Sequence, residues 1–262
     1  MTEPVPSMDS LSVERSTLDV GCSAPLALLV ISPETEDPRE HPVLTELFTA
    51  GLTSYHLRKP TWTRAQLAEW LHALPSVFHP RIVLHTHHDL ATEFTLGGLH
   101  HRDPSRSTCH VLRDNAPPPS SIQDEAKNPV CHVIRDKHSV ETAPLCSRAI
   151  HDLPTLRASL DTYDRLLVSP LFPSFSKTGY APDSRLPHAE LKSALALPRR
   201  AEVIALGGID ASRLPACREL GFDGAAVLGA IWQSPVPVNA FHALQDALRL
   251  SPIASRLPSH AA

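Results

Sequence analysis

Three short stretches of this chain carry groups suited to holding an anion. Gly207-Gly208-Ile209 follows the apolar run Glu202–Leu206 (EVIAL), and without Cβ atoms the paired glycines let backbone N–H groups come close to phosphate oxygens. Ser174-Phe175-Ser176-Lys177 adds hydroxyl donors and a point charge. Tyr55-His56-Leu57-Arg58 ends in a guanidinium whose rigid fork fits phosphate oxygens. A second group suits proton transfer or a soft metal: His85, followed by Thr86, His87 and His88, and His100 with His101. Imidazole titrates near neutral pH and ligates metals readily, so His85 and His100 are a candidate proton shuttle or soft-metal pair. The blander reading is that a chain with 16 histidines places some there by composition, with His87 and His88 exposed.

The elements that would position these groups alternate between β and α patterns. Strand-like runs fall at Leu26–Ile31, Ser54–Arg58, Arg81–His85, Gly98–His101, Pro144–Ser147, Arg165–Pro170, Glu202–Leu206 and Gly224–Leu228. Helical patterns lie between them, at about Arg39–Ala50, from Thr63, from Asp89, at Leu153–Leu160, after Pro187 and at Phe241–Leu250. Thr63 and Gln66 have capping-box spacing. Eight strands with intervening helices predict one (β/α)₈ TIM barrel over about 24–250. Such barrels carry their sites at the C-terminal ends of the strands. That filter selects His56, Arg58, His85, His100, Ser147, Ser169, the Ser174–Lys177 loop, Gly207, Gly208 and Gly229 as one set.

Composition narrows the function. The 262 residues fit one large domain, and a net charge of −4 gives no electrostatic reason to expect nucleic acid as a partner. The longest apolar stretch, Leu26–Ile31, is far shorter than the about 18 residues that cross a bilayer. Residues 1–23 have neither a basic nor an apolar signal region and read as a disordered tail, as do residues 251–262. A cytoplasmic protein that binds phosphorylated small molecules is the expectation, with its oligomeric state left open. Cys22, Cys109, Cys131, Cys146 and Cys217 are scattered and odd in number, which predicts free thiols.

The segment of about 104–142 is too long and too polar for an ordinary connection and is expected to lack fixed structure. It holds two copies of a CHVxRD motif, Cys109 to Asp114 and Cys131 to Asp136. A local duplication in a tolerant insertion explains them; a hairpin or a paired Cys/His metal site is the alternative.

The run Leu167 to Tyr180 (LVSPLFPSFSKTGY) resembles the signature strand and loop of the thiamine phosphate synthase/thiazole tautomerase superfamily. Val203 to Ile209 is similar to its glycine-pair strand, Gly221 to Val227 to its eighth strand, and Tyr55 to Arg58 to its second. The matches recur in order from Leu26 to about Leu248. The resemblance implies an enzyme of thiamine biosynthesis that joins hydroxymethylpyrimidine diphosphate to thiazole phosphate, giving thiamine phosphate and pyrophosphate with the help of Mg²⁺. It implies that Ser174, Ser176 and Gly207-Gly208 hold the thiazole phosphate and that Arg58 and Lys177 hold the diphosphate, where negative charge builds on departure. Ser147 falls near the family's serine after strand five.

Departures from the family pattern are equally specific. His85-Thr86 stands where an Asn-Asp pair is expected, and Pro104-Ser105 near the place of a second aspartate. Both Mg²⁺ carboxylates are missing in register, though Asp89 and Asp103 lie close in sequence. His56 replaces a glutamine, and the lysine expected two residues after Arg58 is Pro60, with Lys59 one place early. Two alternatives follow: a tautomerase-like isomerase that moves a proton without metal, with His151 two residues beyond the expected position, or a non-catalytic barrel that binds thiazole or thiamine phosphate.

Overall fold

The computed structural model describes residues 26–102, 144–173 and 185–249. Its eight strands are β1 (Ala27–Ile31), β2 (Ser54–Leu57), β3 (Ile82–Leu84), β4 (Gly98–His101), β5 (Leu145–Ile150), β6 (Arg165–Val168), β7 (Glu202–Leu206) and β8 (Gly224–Val227). All pair in parallel in chain order, and β8 closes on β1, so the sheet is the closed eight-stranded barrel expected from the sequence. The helices are α1 (Glu40–Thr49), α2 (Arg64–Ala73), α3 (Leu90–Glu93), α4 (Leu153–Ser159), α5 (His188–Leu195), α6 (Leu214–Leu220), α7 (Gly229–Trp232) and α8 (Pro237–Arg249). A 3₁₀ turn, Ser76–Arg81, leads into β3.

Local chemistry explains several of these ends. At α2 the capping box forms as read: Gln66 N–H donates to Thr63 Oγ1 at 3.3 Å and Thr63 N–H to Gln66 Oε1 at 2.9 Å. Asp152 caps α4 by accepting from Thr155 N–H at 2.7 Å. In α8, Phe241, Leu244 and Leu248 recur at helical spacing and are all buried, giving that helix an inward apolar face. Its first turn begins at Pro237, earlier than Phe241, because proline is pre-set for that position. β5 is longer than the predicted Pro144–Ser147: its ladder with β6 runs on through Ile150, a pairing that a polar sequence hides.

Two apolar assemblies result. The larger packs helices onto the outside of the sheet, with Leu44, Leu47 and Phe48 of α1, Leu67 and Leu71 of α2, and Leu191 and Leu195 of α5 buried there. Each such side chain contributes about 1.5–3 kcal/mol on leaving water. The smaller lies in the barrel lumen and consists of Leu29, Ile31, Leu167, Ile204 and Ala226. These come from β1, β6, β7 and β8 alone, so the lumen beside β2 to β5 is filled differently.

A buried ion pair locks β2 to α1. Lys59 Nζ donates to Glu40 Oε2 at 2.6 Å and to the Thr35 carbonyl at 2.9 Å, and Tyr55 Oη donates to Glu40 Oε1 at 2.6 Å. Both charged side chains are enclosed. Burial holds the Glu40 carboxyl above its ordinary range despite Lys59 and Tyr55. The described helices include none long and apolar enough to cross a membrane. Cys217 is a free thiol, and burial pushes it up to about 12.

Candidate functional site

The remaining half of the lumen is built from histidines. In the strand register Val83 lies beside Gly98, so His85 and His100, each two residues further along, come level; His100 itself pairs with Ser147. His56 sits beside Val83, one inward-facing position lower. The side chains meet as this predicts. His56 Nδ1 and His85 Nε2 are 3.0 Å apart, and the rings of His85 and His100 are 4.2 Å apart between centroids. Ser147 Oγ donates to the Leu99 carbonyl at 3.0 Å, so its contact with His100 Nδ1 at 2.9 Å has the imidazole N–H donating. That fixes His100 with its proton on Nδ1 and its lone pair on Nε2. His56 is fully enclosed, and its Nε2 has no partner among the described residues.

The environment keeps these rings neutral. Burial, then His100 and the Arg165 charge, hold His56 well below the ordinary imidazole range. Burial, then His100 and His56, do the same to His85. Burial, followed by His101 and His88, brings His100 down to about 3, and burial and His88 bring His101 to about 4. Ligand nitrogens of His56, His85 and His100 all lie within 4.8 Å of one another, which makes them the one group among the described residues able to hold a metal ion.

Around this cluster stand the other expected residues. Arg58, just beyond β2, is half-exposed and pairs with Glu34 at 2.5 Å. Its backbone is clamped by Ser32, whose hydroxyl donates to the Arg58 carbonyl at 3.0 Å and accepts from its N–H at 2.8 Å. Arg58 follows β2, the strand that carries His56, and its charge adds to the causes that lower both His85 and His100. Ser169, just after β6, precedes a cis peptide to Pro170, and its carbonyl accepts from His151 Nδ1–H at 2.7 Å. His151, buried just after β5, in turn acts on His100.

Gly207 and Gly208 have φ of 99° and 61°, the left-handed region that glycine alone enters freely. The turn is stitched to the β6 loop by Leu171 N–H to Leu206 carbonyl at 3.0 Å and Phe172 N–H to Gly207 carbonyl at 3.2 Å. A Cβ on Gly208 would stand 2.2 Å from the Pro173 carbonyl oxygen. Arg213 donates to the Gly208 carbonyl and lies 5.4 Å over the Phe172 ring, closing the turn from outside. Gly229 opens the short helix α7 after β8; a Cβ there would make only ordinary contacts with Gln233, so packing does not demand glycine. Ser174, Ser176 and Lys177 lie outside the described residues, as do Asp103 and the CHVxRD copies.

Comparison with known proteins now bears on this geometry. No family model matches the chain. A thiamine-phosphate synthase from Desulfitobacterium hafniense is 37% identical over 87 residues, 33% of this chain and 40% of the relative, so the match spans well under half of that relative's length. A crystal structure of a thiamine phosphate pyrophosphorylase from Bacteroides thetaiotaomicron superposes with a TM-score of 0.59 at 25% identity, covering 86% of this chain and 99% of that one. The thiamine phosphate pyrophosphorylase from Pyrococcus furiosus gives a TM-score of 0.60 at 17% identity over 86% of this chain and 96% of that one. The partial sequence match and the shared barrel support a place for this chain in the thiamine phosphate synthase superfamily.

Three features depart from the pattern that the resemblance implies. Lys59, one place early in the β2 motif, does not face the mouth; it is sealed against Glu40 and supports α1 instead. Asp89, the nearest described carboxylate to β3, is exposed and engaged by Arg64 at 2.6 Å. The lumen beneath offers imidazole nitrogens, whereas Mg²⁺ prefers oxygen ligands in octahedral array. The described residues therefore do not fit Mg²⁺. Sequence reading named His56 and the His85/His100 pair separately and missed Ser32; strand parity after each apolar run was the signal that joins the three rings.

Proposed function

We propose that this barrel is a thiamine phosphate synthase-like transferase that binds thiazole phosphate at the Gly207–Gly208 turn and joins it to hydroxymethylpyrimidine diphosphate, giving thiamine phosphate and pyrophosphate. The carrying observation is the positive-φ glycine pair at the end of β7, fastened to the β6 loop, on the strand paired with β8, which leads into the short helix α7. Loops after the seventh and eighth strands with a short extra helix are the usual phosphate cradle of such barrels. The superfamily neighbours support the same class of ligand.

The residues around the mouth have distinct tasks in this reading. Backbone N–H groups of the glycine turn neutralise the thiazole phosphate, with Ser174 and Ser176 as added donors. Arg58 supplies positive charge to the departing diphosphate, together with Lys177. An exposed Arg–Glu pair contributes only about 0–1 kcal/mol, so exchanging Glu34 for a diphosphate costs little. Purified protein supplied with both substrates and a divalent metal is expected to form thiamine phosphate, and Gly208→Ala to abolish thiazole phosphate binding while leaving the diphosphate bound. Binding of neither substrate by the unsubstituted chain overturns the assignment.

One observation favours a second reading, a tautomerase-like isomerase. His151 donates its Nδ1–H to the Ser169 carbonyl, so the lone pair of its ring is on Nε2. Conversion of a thiazole carboxylate phosphate without metal or diphosphate, lost in His151→Gln, distinguishes this from the synthase; binding of thiazole phosphate without either turnover identifies a non-catalytic barrel.

A further inference from the structure

We propose that His56, His85 and His100 form a binding site for one divalent transition-metal ion with the preferences of Zn²⁺, inside the lumen and distinct from any Mg²⁺ site. Three imidazoles come from three adjacent strands, and their register makes the meeting a property of the sheet. Nitrogen donors suit Zn²⁺ and its neighbours in the first transition row, and three protein ligands leave one position for water or a substrate oxygen.

The spacing is close to what coordination needs. Two nitrogens at about 2.0–2.1 Å from a tetrahedral ion stand roughly 3.3 Å apart; His56 Nδ1 and His85 Nε2 are at 3.0 Å, held by one shared proton. Ring rotation has to draw the widest pair in from 4.8 Å. Ser147 supplies what metal-bound histidines usually have, a second partner that fixes the tautomer: by taking the Nδ1 proton of His100 it presents the Nε2 lone pair. With the ion in place of the shared proton, that proton moves to His56 Nε2, which has no partner among the described residues, so that His56 Nδ1 and His85 Nε2 both present lone pairs.

The site is tested on the full-length chain without any phosphorylated substrate, so the result does not depend on the synthase reading. Chelator-stripped protein is titrated with Co²⁺ while its visible absorption is followed, then with Zn²⁺ in competition, and bound metal is counted. One equivalent of Co²⁺ with the absorption of a low-coordinate nitrogen site, displaced by Zn²⁺, is the expected result. His85→Gln and His100→Gln should each remove the band and weaken Zn²⁺ at least 100-fold; Ser147→Ala should weaken it about 10- to 100-fold. Circular dichroism establishes that each variant folds, and for any that does not, His85→Gly with added imidazole should restore the band. Absence of stoichiometric binding, or a band indifferent to all these substitutions, overturns the proposal.

Discussion

The two sides of the barrel lumen are made of opposite materials. Beside β1 and β6 to β8 it is filled by Leu29, Ile31, Leu167, Ile204 and Ala226, the branched apolar packing by which barrels of this kind usually hold together. Beside β2 to β5 the equivalent space holds His56, His85, His100 and Ser147, joined by a few hydrogen bonds and leaving one buried nitrogen unsatisfied. The first side returns hydrophobic free energy; the second spends some of it. A polar cluster with an orphan atom is a poor way to stabilise a core. Its presence on the side where Arg58 reaches the mouth points to chemistry there, with the aliphatic side acting as its rigid support.

The sharpest way to break this contrast is one substitution on each side. Leu167→Ala removes a side chain that is almost wholly enclosed and leaves a cavity, with an expected cost of about 2–5 kcal/mol in urea unfolding. His56→Leu removes the orphan nitrogen, and the His85 nitrogen it abandons is on a partly exposed residue that water can serve. Its expected effect is within about 1 kcal/mol of zero, or a gain. Equal large losses in both variants would mean that the histidine side is as structural as the aliphatic one.

Acid gives the next largest effect and acts on the polar side. His100 is held at about 3, so between that value and the ordinary imidazole value near 6.5 the unfolded chain takes up a proton that the folded chain refuses. Stability is then complete above about pH 6.5 and falls as pH drops toward 3. At pH 5 His100 alone accounts for a loss on the order of 2 kcal/mol, and His56 and His85 shift in the same direction. Thermal unfolding of metal-free protein across this range should show the fall, and His100→Gln should flatten it. A melting temperature level from pH 7 to 5 would show that the rings are not buried and neutral as placed.

Legibility in the sequence followed the same division. The strands β1, β6, β7 and β8 announce themselves as Val, Ile, Leu and Ala runs interrupted only at their first residues, Arg165, Glu202 and Gly224, because both of their faces are covered. β5 reads Leu-Cys-Ser-Arg-Ala-Ile, with Ser147 turned toward His100 and Arg148 lying 5.6 Å over the Tyr163 ring, so its pattern is weak although its pairing is full. The glycine turn was legible because only glycine suits its backbone. The histidine cluster was half legible: strand ends could be guessed, but joining His56 to residues 29 and 44 positions away needs the register of three strands. Lys59 was not legible at all, since only the fold shows that its partner is Glu40, 19 residues earlier, rather than a ligand.

The smallest expected effect on stability carries the most information about the mouth. Arg58 and Glu34 are both about half-exposed, so breaking their pair should change stability by no more than about 1 kcal/mol in either Arg58→Ala or Glu34→Gln. Their effects on anion binding should be opposite. Glu34→Gln releases the guanidinium and removes a nearby negative charge, so pyrophosphate should bind several-fold more tightly at low ionic strength, an advantage that salt erodes by screening. Arg58→Ala should weaken it. Calorimetric titration with pyrophosphate at two salt concentrations separates these outcomes from a mere loss of fold. If Glu34→Gln binds pyrophosphate no better than the unsubstituted chain, Glu34 is not a competitor for Arg58, and the histidine side of the mouth loses its claim to the diphosphate.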